Sequence, residues 1–336
     1  MEDLASLGFR INTDGLRRAT GDLDRLDRQS QTTTSTVQKL GAAFGALGIG
    51  AVLQGSLNSF ANFERGLIGV GKTTDISGKA LADLGKSIRE LSRDLPVTSA
   101  ELLSIAQGAG QVGVEGAENI LRFTETVGKL GLASDLAGEQ AAVALTRILT
   151  TTGTAISEVD RLGSTIVQLG NNFAATESEI AEVATRVALS TSRFNVSAAE
   201  VLGISTALKA VGVQAESGGT QIGLSFQAIN DAIRSGGEEL ARLERITGRT
   251  GDALREDFFN GQSAKVFEDV VTGLGNIQKS EGDVSAALSS LGLNGSQANE
   301  VLSTLATRAD VLSDALSQAN TEYERSEERR VGKSVP

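Results

Sequence analysis

A block of helix start and stop signals occurs twice in this chain, and nothing else in the sequence restricts the fold as much. Val97-Thr-Ser-Ala-Glu-Leu-Leu-Ser-Ile-Ala-Gln-Gly-Ala-Gly-Gln-Val-Gly-Val114 recurs as Val196-Ser-Ala-Ala-Glu-Val-Leu-Gly-Ile-Ser-Thr-Ala-Leu-Lys-Ala-Val-Gly-Val213, 99 residues later, with 8 of 18 positions identical. Thr98 and Ser197 stand where an N-cap hydroxyl belongs, and Glu101 and Glu200 follow three residues on, the spacing of a capping box. Leu102, Leu103, Ile105, Ala106 and Ala109 then form one apolar helical stripe, matched by Val201, Leu202, Ile204 and Leu208. Each copy closes in Val-Gly-Val, where the glycine suits the left-handed C′ position and the next valine folds back on the last turn. The same close is read at Leu130-Gly131-Leu132 and Leu291-Gly292-Leu293. Further helix starts are read at Thr176–Glu179, Ser280–Asp283 and Asn294–Gln297.

The periodicity predicts helices over 79–93, 98–111, 116–130, 137–149, 156–170, 177–193, 198–211, 216–235, 237–247, 251–259, 263–279, 283–290 and 295–319. No alternating strand run of useful length occurs, so the expected fold class is all-α, many short capped helices with an internal duplication. Three regions are expected: residues 1–62, residues 63–320 as a helical core carrying the repeated blocks 97–114 and 196–213, and a polar tail at 321–336. Within the first region Leu16, Leu23, Ser30, Val37 and Phe44 share one heptad register, and Ala19, Leu26, Thr33, Leu40 and Leu47 the other, which is coiled-coil spacing. The hydroxyl-rich Ser30–Thr36 gives that seam little apolar area.

Composition removes whole classes of chemistry. The 336 residues include no Cys and no His, which excludes disulfides, the usual zinc sites and Ser-His or Cys-His catalysis. An all-carboxylate cation site is left open by composition, but no calcium-loop pattern of Asp, Gly and Glu occurs. No catalytic, cofactor-binding or metal-ligating residue is therefore expected, and the chain reads as non-enzymatic. A formal charge of -11 argues against a general nucleic-acid surface, so no specific nucleic-acid binding is expected. The 39 glycines are unusual beside two prolines. Inside a helix each costs about 1 kcal/mol against alanine, which points to close helix packing or locally soft helices.

Residues 40–63 carry no charge, and their length suits a bilayer span. Their content is rich in Gly, Ala and Ser instead, with small residues at Gly41-xxx-Gly45 and Ala46-xxx-Gly50, the spacing of closely approaching helices. A buried packing helix, a conditional membrane segment and a loop are the three readings. Gly66-Leu-Ile-Gly-Val-Gly71-Lys72-Thr73 matches the phosphate-binding P-loop letter for letter, but a P-loop needs a buried strand before its first glycine, and Ser59–Arg65 reads as helix. Gly108-Ala-Gly110-Gln-Val-Gly113 fits the dinucleotide fingerprint, yet it ends a capped helix rather than opening one, and the second copy has Ala207 and Lys209 in place of two of its glycines. Glu177, Glu179 and Glu182 suit the N-terminus of a helix, Asn171-Asn172 a polar turn, and Glu322–Arg330 a solvated helix or tail.

Several segments taken in order resemble the conserved core of phage tail tape measure proteins. They are Phe63-Glu64, Leu95–Leu102 with Ala109–Val114, Phe123–Gly131, Leu169–Ile180, Gly212–Thr220 and Leu291–Leu293. The resemblance covers about Phe63 to Gln318. It implies a structural protein of the virion tail, lying in the tube lumen and present in host cytoplasm during assembly, that sets tail length, templates the tube and has a role in genome delivery. It also implies tube protein, assembly chaperones and tail-tip or baseplate proteins as partners, together with self-association through helices. The alternative is a membrane-active helical protein that inserts residues 40–63 into the host envelope, with the host membrane as a contact. A fully helical chain of this length would span about 500 Å, whereas the short capped helices predict a more compact form. The expectation is that the chain is the N-terminal part of a longer protein.

Overall fold

A computed structural model describes residues 50–136 and 138–333, with side chains described over 59–136 and 138–326. The heptad register from Leu16 to Leu47 and residues 40–49 of the uncharged stretch lie outside the described residues. The described residues form fifteen α-helices and one 3-10 turn, and no strand among them interrupts the succession.

The helices are α1 (Gly50–Thr74), α2 (Gly78–Asp94), α3 (Ser99–Gln111), α4 (Ala117–Ala133), α5 (Gly138–Thr152), α6 (Val159–Asn172), α7 (Glu177–Thr191) and α8 (Ala198–Ala210). They continue as α9 (Ala215–Ser235), α10 (Gly237–Thr247), α11 (Gly251–Phe259), α12 (Ser263–Lys279), α13 (Val284–Ser290), α14 (Ser296–Thr307) and α15 (Ala309–Lys333). The repeated block forms α3 and α8 with the ends its signals specify. Thr98 and Ser197 cap α3 and α8, each in a complete box with Glu101 or Glu200. At the other end Val114 N–H donates to Ala109 and Val213 N–H to Leu208, at 3.0 and 2.9 Å. Gly113 and Gly212 take the left-handed turn, at φ 89° and 82°.

The duplication is wider than the sequence block. Shifted by the same 99 residues, the starts of α2, α3 and α5 fall on those of α7, α8 and α10, and that of α4 falls within one residue of α9. The partners differ. Helix α3 packs chiefly on α1, with α4 and α5 on its other sides, while α8 packs chiefly on α15, with α7 next. Ala198 to Leu208 of α8 are buried on nearly every face, whereas Glu101 and Ser104 of α3 face solvent. One apolar core runs through all these helices. Its aromatic centre is a stack of Phe194, Phe226 and Phe267, with ring centroids 5.7 and 5.1 Å apart.

Five readings are corrected. Helix α4 runs through Gly131 to Ala133, so Leu130-Gly131-Leu132 is not a stop. Ser280 closes α12, and Asp283 caps α13 by accepting from Ala286 N–H. Gly295, not Asn294, precedes α14. The helix expected over 295–319 breaks at Arg308, and beyond the break α15 continues through Thr321 to Lys333. Residues 156–158 form the 3-10 turn, and α6 starts after it.

Candidate functional site

The two phosphate-like patterns meet each other in space. Residues Gly66 to Thr73 lie within α1, which is helical from Gly50 to Thr74, and Lys72 is exposed in its last turn. Gly108 and Gly110 lie within α3, and Gly113 forms its C-terminal turn. A Cβ on Gly66 would fall 2.9 Å from Leu103 Cδ1, one on Gly69 2.6 Å from Gln107 Oε1, and one on Gly110 2.7 Å from Thr73 Oγ1. Contacts at 66, 69 and 73 on α1 meet 103, 107 and 110 on α3, so the two helices run parallel. The glycines are the surface along which they approach, as small residues allow. Neither segment has the strand–loop–helix geometry in which backbone N–H groups cradle a phosphate.

The carboxylates read from the sequence serve helix ends. Glu179 completes the capping box of Thr176 and pairs with Lys209 of α8 at 3.2 Å, and these bonds hold its carboxyl below the usual range. Glu182 pairs with Arg186 at 3.3 Å. Asp135, from the turn after α4, accepts from Ser178 N–H at 2.9 Å and from its hydroxyl at 2.5 Å, reaching across to the start of α7. Burial opposes ionisation of Asp135, but the hydrogen bonds from Ser178 and Thr176 together outweigh it and lower its pKa. Asn172 donates to Gln168 carbonyl at 2.6 Å, at the helix end where a polar turn was read. Glu177 packs under Gly170.

Two polar clusters were not read from the sequence. Arg249 donates to Asp269 at 2.6 Å and to Asp257 at 2.7 Å, and Lys265 adds to Asp257 at 3.3 Å. Arg249 holds Asp257 below the usual range and ties the α10–α11 turn to α12. The second cluster seats α15. Tyr323 donates its hydroxyl to Glu158 at 2.9 Å, the Arg161 guanidinium lies 5.3 Å from the Tyr323 ring centre, and Ser326 meets Ser164 at 2.6 Å. Burial and the Glu158 carboxylate push the Tyr323 hydroxyl well above its ordinary pKa. Glu322, 4% exposed, bonds to Arg325 and Ser326. Nothing in the polar stretch 321–336 distinguished these residues from a solvated face, since the partners that give Tyr323 and Ser326 a role lie on the 3-10 turn and α6.

A groove of about 590 Å³ runs between α4 and α6 and ends at Glu322 and Arg325. Its cations already have partners: Lys129 with Glu125 at 2.5 Å, Arg122 with Ser157 carbonyl at 3.2 Å, and Arg325 with Glu322. Mixed signs at close spacing leave it no preference for an anion or a cation. Another groove, of about 630 Å³ between α5 and α7, is lined by Val143, Ala144 and Leu189 among charged residues, and Leu189 is 71% exposed. Among the described residues no group of three or more His, Cys, Asp or Glu is placed to hold a metal ion. No helix among them is long and apolar enough to cross a membrane.

Caps, glycine seams and ion pairs that tie helix to helix define an all-helical protein whose distinctive residues serve packing. The chain belongs to the phage-related minor tail protein family, whose model matches residues 85–282, more than half of the 336 residues and both copies of the repeated block. It is a protein of the phage tail. No curated protein and no solved structure gives a significant match.

Proposed function

We propose that this tail protein is the core region of a tape measure protein, a non-enzymatic ruler that sets tail length and templates the tube. The observation that carries the reading is the doubled series of helix boundaries, in which start and stop signals recur at a fixed interval while the packing partners change. A chain kept for its length and helical continuity repeats its signals in this way, and a chain kept for a reaction holds one set of side chains in one geometry. The family supports the tail setting, and the ordered segments from Phe63 to Leu293 support the finer assignment. In this reading the chain lies in the tube lumen, meets tube subunits, assembly chaperones and tail-tip proteins, and leaves ahead of the genome.

In-frame deletions across the complete gene test it, with tail length measured by electron microscopy. Tails should shorten by about 1.5 Å for each helical residue removed. Tails of constant length across the series, or loss of assembly with no change in the length of the tails that do form, would remove the reading.

A further inference from the structure

The groove between α5 and α7 holds two charges that find no partner in their own chain. Glu139 and Arg147 are exposed on its α5 side, and among the described residues neither side chain makes a hydrogen bond or an ion pair. The other charges of the groove are matched locally. Glu182 pairs with Arg186 at 3.3 Å, and Arg186 also reaches Glu216 of α9 at 3.6 Å. Between the two free charges lie Val143 and Ala144, both half-buried. Leu189 lines the same groove and is 71% exposed, more than any other large hydrophobic residue among those described.

The spacing of these residues gives the groove a direction. Glu139, Val143 and Arg147 follow each other at intervals of four, so they share one face of α5. Val143 lies midway, about 6 Å along the helix axis from each charge. Helix α7 packs along α5 and runs in the same sense, because Asp135, just before α5, accepts from Ser178 in the first turn of α7. The unpaired carboxylate therefore stands towards the end where both helices start. The unpaired guanidinium and Leu189 stand towards the end where both finish.

A face with opposite charges at equal distances from an apolar centre is complementary to its own copy after half a turn. From this charge pattern we infer that the α5–α7 face is a contact between two copies of the chain, with α5 antiparallel to α5 of the second copy about a two-fold axis at Val143. In such an isologous contact residue i meets residue j, and j meets i. Residue 139 of each copy then stands opposite residue 147 of the other, so Glu139 and Arg147 pair twice. Val143 meets its counterpart on the axis, and Leu189 is covered. A parallel arrangement would set carboxylate against carboxylate and guanidinium against guanidinium, so charge fixes both the direction and the register. The contact is small and partly polar, which makes it a reversible one. The inference stands apart from the ruler reading, since it rests on this one face alone.

Charge reversal tests the pairing, with association of the full chain measured by sedimentation equilibrium over a wide range of concentration. Glu139→Arg alone sets like charges together at both ends of the contact, and so does Arg147→Glu. Each should weaken association by at least about tenfold. The two changes made in one chain exchange the charges and should restore association to within about twofold of the unaltered chain. Both positions are exposed, so the variants should fold, and circular dichroism confirms that they do. The absence of cysteine allows a second readout. Val143→Cys places one thiol on the axis, and mild oxidation should link it to its own copy at least about tenfold faster than Ser313→Cys, an exposed site on α15. A chain that stays monomeric at every concentration overturns the inference. So do single reversals that leave association unchanged, a double reversal no tighter than either single, or linking at 143 no faster than at 313.

Discussion

Glu101 and Glu200 occupy the same place in the two copies of the repeated block, and their acidities shift in opposite directions. Each completes a capping box, accepting from the backbone N–H of Thr98 or Ser197, at 3.0 and 2.8 Å. Hydrogen bonds from Thr98 to the solvent-facing Glu101 carboxylate lower its pKa. Glu200 makes the equivalent bonds, but burial beside its neighbouring helices outweighs them and raises its pKa. One local signal therefore has two energetic outcomes, decided by what packs over it.

The pH dependence of the two glutamates follows with opposite signs. Glu101 stabilises the fold above the ordinary glutamate pKa, and that contribution is lost as pH falls through its lowered value. Ionised Glu200 carries a penalty above its raised value, which disappears as pH falls below the ordinary one. Glutamine also serves at this position of a capping box. Glu101→Gln should therefore lower the thermal midpoint at about pH 7, and Glu200→Gln should leave it unchanged or raise it, with the Glu200 difference lost as pH falls below the ordinary glutamate value and the Glu101 difference lost at more acid pH still. Midpoints by circular dichroism across that range provide the check, and shifts of the same sign at neutral pH would contradict the assignment.

Helical glycines separate into those that a second backbone presses upon and those with room. A Cβ on Gly273 of α12 would collide with Ile246 carbonyl oxygen, whereas one on Gly108 would meet nothing nearer than Ala142 Cβ at 3.9 Å. Gly273→Ala should cost about 1–3 kcal/mol through backbone displacement. Gly108→Ala should be neutral or gain up to about 1 kcal/mol, since alanine is the better helix former. Chemical denaturation of both variants measures this directly.

The two phosphate-like patterns should respond as a helix seam. Lys72→Ala, at an exposed site, should change stability by no more than about 0.5 kcal/mol. Gly110→Ala places a Cβ 2.9 Å from Thr73 carbonyl oxygen and should cost about 1–3 kcal/mol. Calorimetry with ATP should give no binding heat for either variant or for the unaltered chain. A nucleotide heat that disappears in Lys72→Ala would reverse this account of α1.

The ends of the helices were legible in the sequence because caps act within one turn. Thr98, Thr176 and Ser197 each satisfy N–H groups three residues away, and Gly113, Gly212 and Gly292 each turn the chain locally. What lay hidden was which helix each glycine meets. Gly203 and Ser104 stand at equivalent positions, and only the first carries another helix on it. The partner, Leu316, is more than a hundred residues away and carries no mark of the pairing. The bend at Arg308 was missed because the apolar spacing continues through it, while the close approach of Gly275 to Ala306 at the joint comes from another helix. Tyr323 and Ser326 looked solvated because their partners, Glu158 and Ser164, lie about 160 residues earlier in the chain.

The fixed interval between the two copies offers the most direct test of the ruler reading. Inserting one extra in-frame copy of residues 78–176 adds a whole period of helices, ending on the Thr176 cap. Tail length, measured by electron microscopy on purified virions, should increase by about 150 Å, the span of those residues as helix. Virions that assemble with tails of unchanged length would contradict it.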